Sequence, residues 1–339
     1  MSKEDSKMIQ GLSVLAMVCL HLFDTIDYEN LFTPLLFFKG YPLAFYFAQL
    51  SDFCVMGFAF CSGYAHMKLY ESKNYYKKRL VGLLSLYCNF WIILILFTIA
   101  SVISGHSSFM PGSAWSFFKA FTTVSMEYND AWWYLPVYAV IVFISPLILK
   151  ASKKMNSAIV LALSFIIYCG GYLLRYKFGT PYKAINWFGP FAMTLFEYMI
   201  GVVCCKTQFF EKIEKRLANV KPGWIYLFCA LAFVAMLLGH TLIFRSMIIA
   251  PFSGFVIICI AKFCNKQSVV KKVLIYFGNH STNIWLTHMF FCFSLFKGLV
   301  FTAKYPIPIY LMMIAICLAV SYIINLIFKP IQKQIKKLS

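Results

Sequence analysis

Ten long apolar segments follow one another with little chain between them, and they constrain the fold more than any other feature. They run Met8–Phe23, Leu43–Tyr64, Leu80–Ile103, Trp132–Leu149, Ala158–Leu174, Phe188–Cys205, Trp224–Leu238, Leu242–Ala261, Ile284–Phe301 and Ile309–Phe328. Several reach the roughly 20 residues a membrane helix needs, and others fall a little short. Of 339 residues, 61% are hydrophobic and 13% charged, against about 25% charged in a soluble domain. That composition excludes a soluble globular protein and a disordered one. The expected architecture is an all-α polytopic bundle of about ten transmembrane helices, one domain over residues 1–339. Acidic residues and no small-residue cleavage motif follow Met8–Phe23, so the first segment is expected to stay as a helix rather than leave as a signal peptide.

The formal net charge is +19, an excess that elsewhere points to nucleic acid. Its distribution points elsewhere. With the connections assigned alternately to two sides, 23 of the 31 Lys and Arg fall on the side holding both termini and eight on the other. The positive-inside rule makes the basic side cytoplasmic. The charge therefore reads as a topology device that also suits anionic headgroups, and no nucleic-acid partner is expected. Of the 12 cysteines, most lie inside apolar segments, where thiols act as small hydrophobes. No CxxC pair is present, and no metal site is expected. The stretches Asp24–Pro42, Gly105–Ala131 and Arg175–Trp187 fall on the outer side and are longer than simple connections need. Their aromatics suit stacking on sugar rings and interfacial anchoring equally well.

Ionisable side chains inside apolar segments mark function by default. His21 comes 14 residues after Lys7, roughly 21 Å along a helix, and so lies toward the outer leaflet. Asp24 follows three residues later and would share its face if the helix continued, holding the imidazole in one tautomer. A solvated interfacial histidine is the plainer alternative. Glu197 sits in mid-segment, open to a proton relay, a substrate hydroxyl or a structural partner, the last favoured. Asp52 caps or breaks a helix near Leu50–Ser51. His288 lies within Ile284–Phe301, and His66 and His240 lie at helix ends, where solvated roles are expected. No GxSxG, Walker, GxGxxG or HExxH pattern occurs. From the residues alone, a transporter and an integral-membrane enzyme both stay open.

The run from Lys7 to His21, with Gly11-Leu12 and an apolar stretch ending in histidine, resembles the first helix of the acyltransferase-3 family. In that family a basic residue stands eleven positions before the histidine; here the position is Gln10, with Lys7 one turn earlier. Phe58–Tyr64 resembles the Ser-Gly signature of the second helix, and Tyr75–Leu80 the basic run before the third. Trp133-Tyr134-Leu135 with Pro146-Leu147 resembles a mid-chain segment. One branch carries a glutamate where this chain has Tyr138. Gly278–His288 resembles the late block ending Leu-x-His. No single motif is specific, but all stand in family order. The resemblance implies a multi-pass protein of a cell membrane, a bacterial cytoplasmic membrane. It would take acyl-CoA, acetyl-CoA in the simplest case, as donor substrate rather than as a permanent cofactor, and a glycan or lipid-linked glycan hydroxyl as acceptor. His21 would be the general base. Ser62, Trp133 or Asn283 would stabilise an oxyanion, with Asp24, Glu197 and His288 in support. Lys7, Gln10, Lys77, Lys78 and Arg79 would meet the donor's phosphates; anchoring at the inner face explains the last three as well. A transporter or flippase for a lipid-linked glycan or small polar solute is the alternative, and no internal repeat supports it.

Overall fold

The computed structural model describes residues 1–178, 183–242, 246–264 and 269–338. Tyr182, one of the outer-side aromatics, lies outside the described residues. The chain is almost wholly helical. In order come α1 (Lys3–Phe23), α2 (Leu43–Gln49), α3 (Cys54–Leu69), α4 (Tyr75–Ile103), α5 (Ala114–Phe121), α6 (Tyr134–Lys154) and α7 (Ser157–Phe178). Then come α8 (Lys183–Lys206), α9 (Phe209–Leu217), α10 (Pro222–Leu242), α11 (Ser246–Cys264), α12 (Val269–Thr287), α13 (Met289–Cys292), α14 (Lys297–Phe301) and α15 (Pro306–Lys336). A 3-10 turn covers Asp130–Trp133, and β1 (Phe37–Phe38) pairs antiparallel with β2 (Tyr41–Pro42). Lys39 and Gly40 make the tight turn, both at positive φ, where glycine carries no steric penalty.

Eight spans among the described residues are long and apolar enough to cross a membrane, and Ile248–Cys264 is a shorter apolar helix. Apart from residues 243–245 of the eighth, which lie outside the described residues, the ten segments expected from hydropathy fall mostly on helix, with two corrections. The second is interrupted at residues 50–53, where Asp52 sits between α2 and α3. The ninth, Ile284–Phe301, is not one helix. Its membrane-length helix is α12, which starts fifteen residues earlier and stops at Thr287, after which the chain turns through the short α13 and α14. Hydropathy misses α12 because Gly278–Asn283 reads Gly-Asn-His-Ser-Thr-Asn. Tertiary hydrogen bonds to the His280 and Asn283 side chains compensate the cost of burying them.

Cα packing divides the chain into two compact units. The first holds Met1–Met17, Gln49–Ser72 and Ile144–Asn279; the second holds Val18–Ala48, Lys73–Phe143 and His280–Ser339. In the first unit, α8 packs against α3 and α7. Phe60, Tyr64, Phe210 and Ile258 form its core with Met56 and Cys204. Glycine sets two of its helix crossings. A methyl on Gly63 would strike the Tyr198 carbonyl, and one on Gly201 the Phe60 carbonyl. The same reciprocal contact joins α1 to α12: Gly11 abuts the Leu274 carbonyl and Gly278 the Lys7 carbonyl. Small residues at crossings are how membrane helices approach closely. Three of these four glycines, Gly11, Gly63 and Gly278, belong to the motifs quoted above, so packing explains much of what those motifs encode. His66 is not solvated: it is 1% exposed and shares a 3.0 Å hydrogen bond with the Tyr198 hydroxyl. The His240 side chain is buried too, 3.9 Å from Asp52.

In the second unit, α4 packs along α15, with Leu83, Ala139 and Val142 as one core cluster. Phe97 stacks on Phe290 at 4.1 Å between ring centroids.

Candidate active site

The site is built in the second unit around the C-terminal end of α12. The last carbonyls of a helix have no partner within it and must find donors elsewhere. Here the Asn129 amide and the Trp132 indole both donate to the Leu286 carbonyl, at 3.0 and 2.9 Å. The Trp285 indole returns a bond to the Ala131 carbonyl at 2.8 Å. The 3-10 turn is thereby strapped onto the helix end. His288, the residue after α12, completes the cap with its own ring: Nδ1 lies 2.8 Å from the Trp285 carbonyl and 3.2 Å from that of Ile284.

His288 is fully buried, and its Nε2 lies 2.7 Å from Nδ1 of His21 in the last turn of α1. The rings overlap at 4.9 Å between centroids, and Phe293 meets the His21 ring edge-on. The bonds determine the tautomers. A carbonyl only accepts, so His288 Nδ1 carries its proton. In the neutral ring Nε2 is then a bare acceptor, and the hydrogen between the two rings belongs to His21 Nδ1. His21 Nε2 is left with a lone pair. Two imidazolium rings at this separation would repel, so the pair holds at most one positive charge. The chain carbonyl, neutral imidazole and imidazole form a base with an orienting partner, the logic of a catalytic triad with a histidine where a carboxylate often stands.

A polar network continues along α12. Asn89 of α4 donates to Asn283 Oδ1 at 2.7 Å, and the Asn283 amide donates to Ser321 Oγ and Asn325 Oδ1 of α15 at 3.0 and 3.2 Å. His280 shares a 2.9 Å bond with Ser321 Oγ. Such a network, buried among membrane-length helices, holds α12 in rotation and depth.

Of the residues singled out from sequence, His21, His288, Asn283 and Trp133 lie in this unit, together with Asp24, Lys77, Lys78 and Arg79. Asp24 does not supply the partner of the His21 ring. The helix ends at Phe23, Asp24 is exposed beyond it, and His288 occupies Nδ1. Trp133 is half-buried, edge-on to Tyr134, while its neighbour Trp132 is the fully buried tryptophan that bonds α12. Lys77 and Lys78 are exposed in the first turn of α4, and the Arg79 guanidinium lies over the Tyr75 ring. Lys7, Gln10, Ser62 and Glu197 belong to the first unit. Lys7 donates to the Gly278 carbonyl at 3.0 Å, and the Ser62 hydroxyl to Phe58 O of its own helix. Glu197 is buried, within electrostatic reach of Asp52. Sequence reading missed Asn89, Asn129, Trp132 and His280. Polar residues in or beside apolar segments were the available signal; their partners were not. Among the described residues no cluster of His, Cys, Asp and Glu could hold a metal ion.

A family model described as an acyltransferase domain matches residues 6–326. No curated protein and no solved structure gives a match. The family match covers nearly the whole chain and includes both His21 and His288, the two rings that meet in the structure. By that match, on a frame of membrane-length helices, the chain belongs to the acyltransferase-3 family of membrane acyltransferases.

Proposed function

We propose that this acyltransferase moves a short acyl group, acetyl in the simplest case, from acyl-CoA to a hydroxyl of a cell-surface glycan or its lipid-linked precursor. His21 is the general base. The observation that carries the reading is the 2.7 Å bond from His21 Nδ1 to His288, which leaves Nε2 unprotonated. Nε2 takes the proton of the acceptor hydroxyl as its oxygen attacks the thioester carbonyl. The positive charge formed on His21 is stabilised by the neutral His288 ring, itself anchored on the Trp285 carbonyl. Collapse of the tetrahedral intermediate expels the CoA thiolate, which recovers the proton from His21. The donor arrives from the basic, cytoplasmic side, where Lys77 and Lys78 suit its phosphates.

The test is transfer of labelled acetyl from acetyl-CoA to a panel of lipid-linked and polymeric glycans by the purified protein. His21→Ala is expected to melt like the parent and to lose about 10²–10⁴-fold in rate, the contribution of a positioned base. Full activity in that variant ends the His21 assignment. Uptake of the glycan into vesicles without any acyl donor favours a transporter instead.

A further inference from the structure

The first unit carries a groove of about 790 Å³ between α9, α10 and α11, lined throughout by apolar side chains and cysteine. Its volume lies within the roughly 300–1,000 Å³ typical of small-molecule sites. One wall is the stripe Phe209, Ile213 and Leu217 of α9, four residues apart and so on one face. The other walls are α10 from Trp224 to Ala232 and α11 from Phe255 to Phe263. Each of those stretches rises roughly 12 Å, close to half of a hydrocarbon core of about 30 Å. Both adjoin basic ends of their helices: α10 begins just after Lys221, and Lys262 is in the last turn of α11. The groove therefore runs from the basic surface to mid-membrane, the depth of one leaflet. It is open to its surroundings, with Trp224 65% and Phe228 74% exposed.

The charge at its mouth has one sign. The acidic residues of α9 are engaged by the protein: Glu214 pairs with Lys262 at 3.0 Å, and Glu211 accepts from the Tyr64 hydroxyl at 3.0 Å. Lys212, Lys215 and Arg216 are exposed. Lys212 and Arg216 each stand one position before a groove residue, an i, i+4 pair bordering the apolar stripe. A short helix with one apolar and one basic face lies at a membrane surface. A second copy of the chain docked here by twofold symmetry would set these cations against each other.

We propose that the groove is a binding site for an anionic phospholipid of the basic-side leaflet, with an acyl tail along α10 and α11 and the phosphate held by Lys212 and Arg216. The site is independent of the acyl-transfer reading.

Brominated phospholipids quench nearby tryptophan, and Trp224 stands at the groove. The full-length protein in neutral detergent is titrated with brominated phosphatidylglycerol and, separately, brominated phosphatidylcholine. The Trp224 signal is isolated by difference from Trp224→Phe. Phosphatidylglycerol is expected to reach half-quenching at a lower mole fraction, by about fivefold for each basic side chain engaged. Lys212→Glu with Arg216→Glu is expected to erase that difference, and Ala232→Phe, which fills the groove, to weaken both lipids equally. Equal half-quenching of the two lipids, or a preference that survives the charge reversal, overturns the proposal. So does displacement of the lipid by millimolar inorganic phosphate at constant ionic strength, which would mark a plain anion site. A wild-type dimer that Ala232→Phe converts to a monomer would assign the groove to self-association instead.

Discussion

His288 illustrates how a residue acquires a role from its partners. On its own it is a histidine in an apolar stretch. Between the Trp285 carbonyl and the His21 ring it becomes the group that determines which His21 nitrogen holds the proton. Removing it leaves His21 free to flip tautomer and to rotate. His288→Ala is therefore expected to lower kcat about 10²-fold or more, with little change in KM. Glutamine can mimic both bonds, its amide N–H donating to Trp285 O and its amide oxygen accepting from His21. His288→Gln is expected to recover a substantial part of the lost kcat. A merely structural role would move the melting temperature and KM instead, and Gln would not rescue it. His21 could be singled out from the sequence as a buried ionisable candidate; that His288 and not Asp24 meets its ring could not, because the helix ends at Phe23, just before Asp24.

Helices here are held by close contact at glycine and by polar side chains that cross between them. The α3–α8 and α1–α12 crossings each rest on a reciprocal glycine pair. Gly11→Ala, Gly63→Ala, Gly201→Ala and Gly278→Ala force backbones apart and are each expected to cost about 1–3 kcal/mol, seen as earlier melting in detergent. Gly82 and Gly170 lie in α4 and α7 with open space where a Cβ would go. Alanine there is expected to leave melting unchanged or to raise it, since it removes the helix penalty of glycine, about 0.5–1 kcal/mol. The same view explains why hydropathy misplaced the ninth segment. Summed hydrophobicity marks Asn283 as a break, whereas Asn89, Ser321 and Asn325 satisfy its side chain and let the helix continue.

For the whole molecule, charge asymmetry makes a claim about sidedness that no packing contact enters. The basic side is expected to face the cytoplasm. A green fluorescent protein fused after Lys337 is then expected to fluoresce, and alkaline phosphatase at that point to be inactive. Fusions truncating the chain after Gly112 are expected to give the reverse pair. Phosphatase activity at Lys337 would invert the topology, and with it the side proposed for the donor.

The order of apolar segments, the excess of Lys and Arg on alternate connections and the run of family motifs already specify a polytopic helical acyltransferase, because hydropathy and charge are local sums that survive without knowledge of contacts. The histidine pair of the candidate site is of another kind. His21 and His288 stand 267 residues apart, and nothing local to either names the other. Their meeting depends on where α1 ends, on the turn that caps α12 through Asn129 and Trp132, and on the Asn283 network that carries α12 through its polar stretch. Each is a pairing energy between distant segments, and such energies exist only in the folded chain.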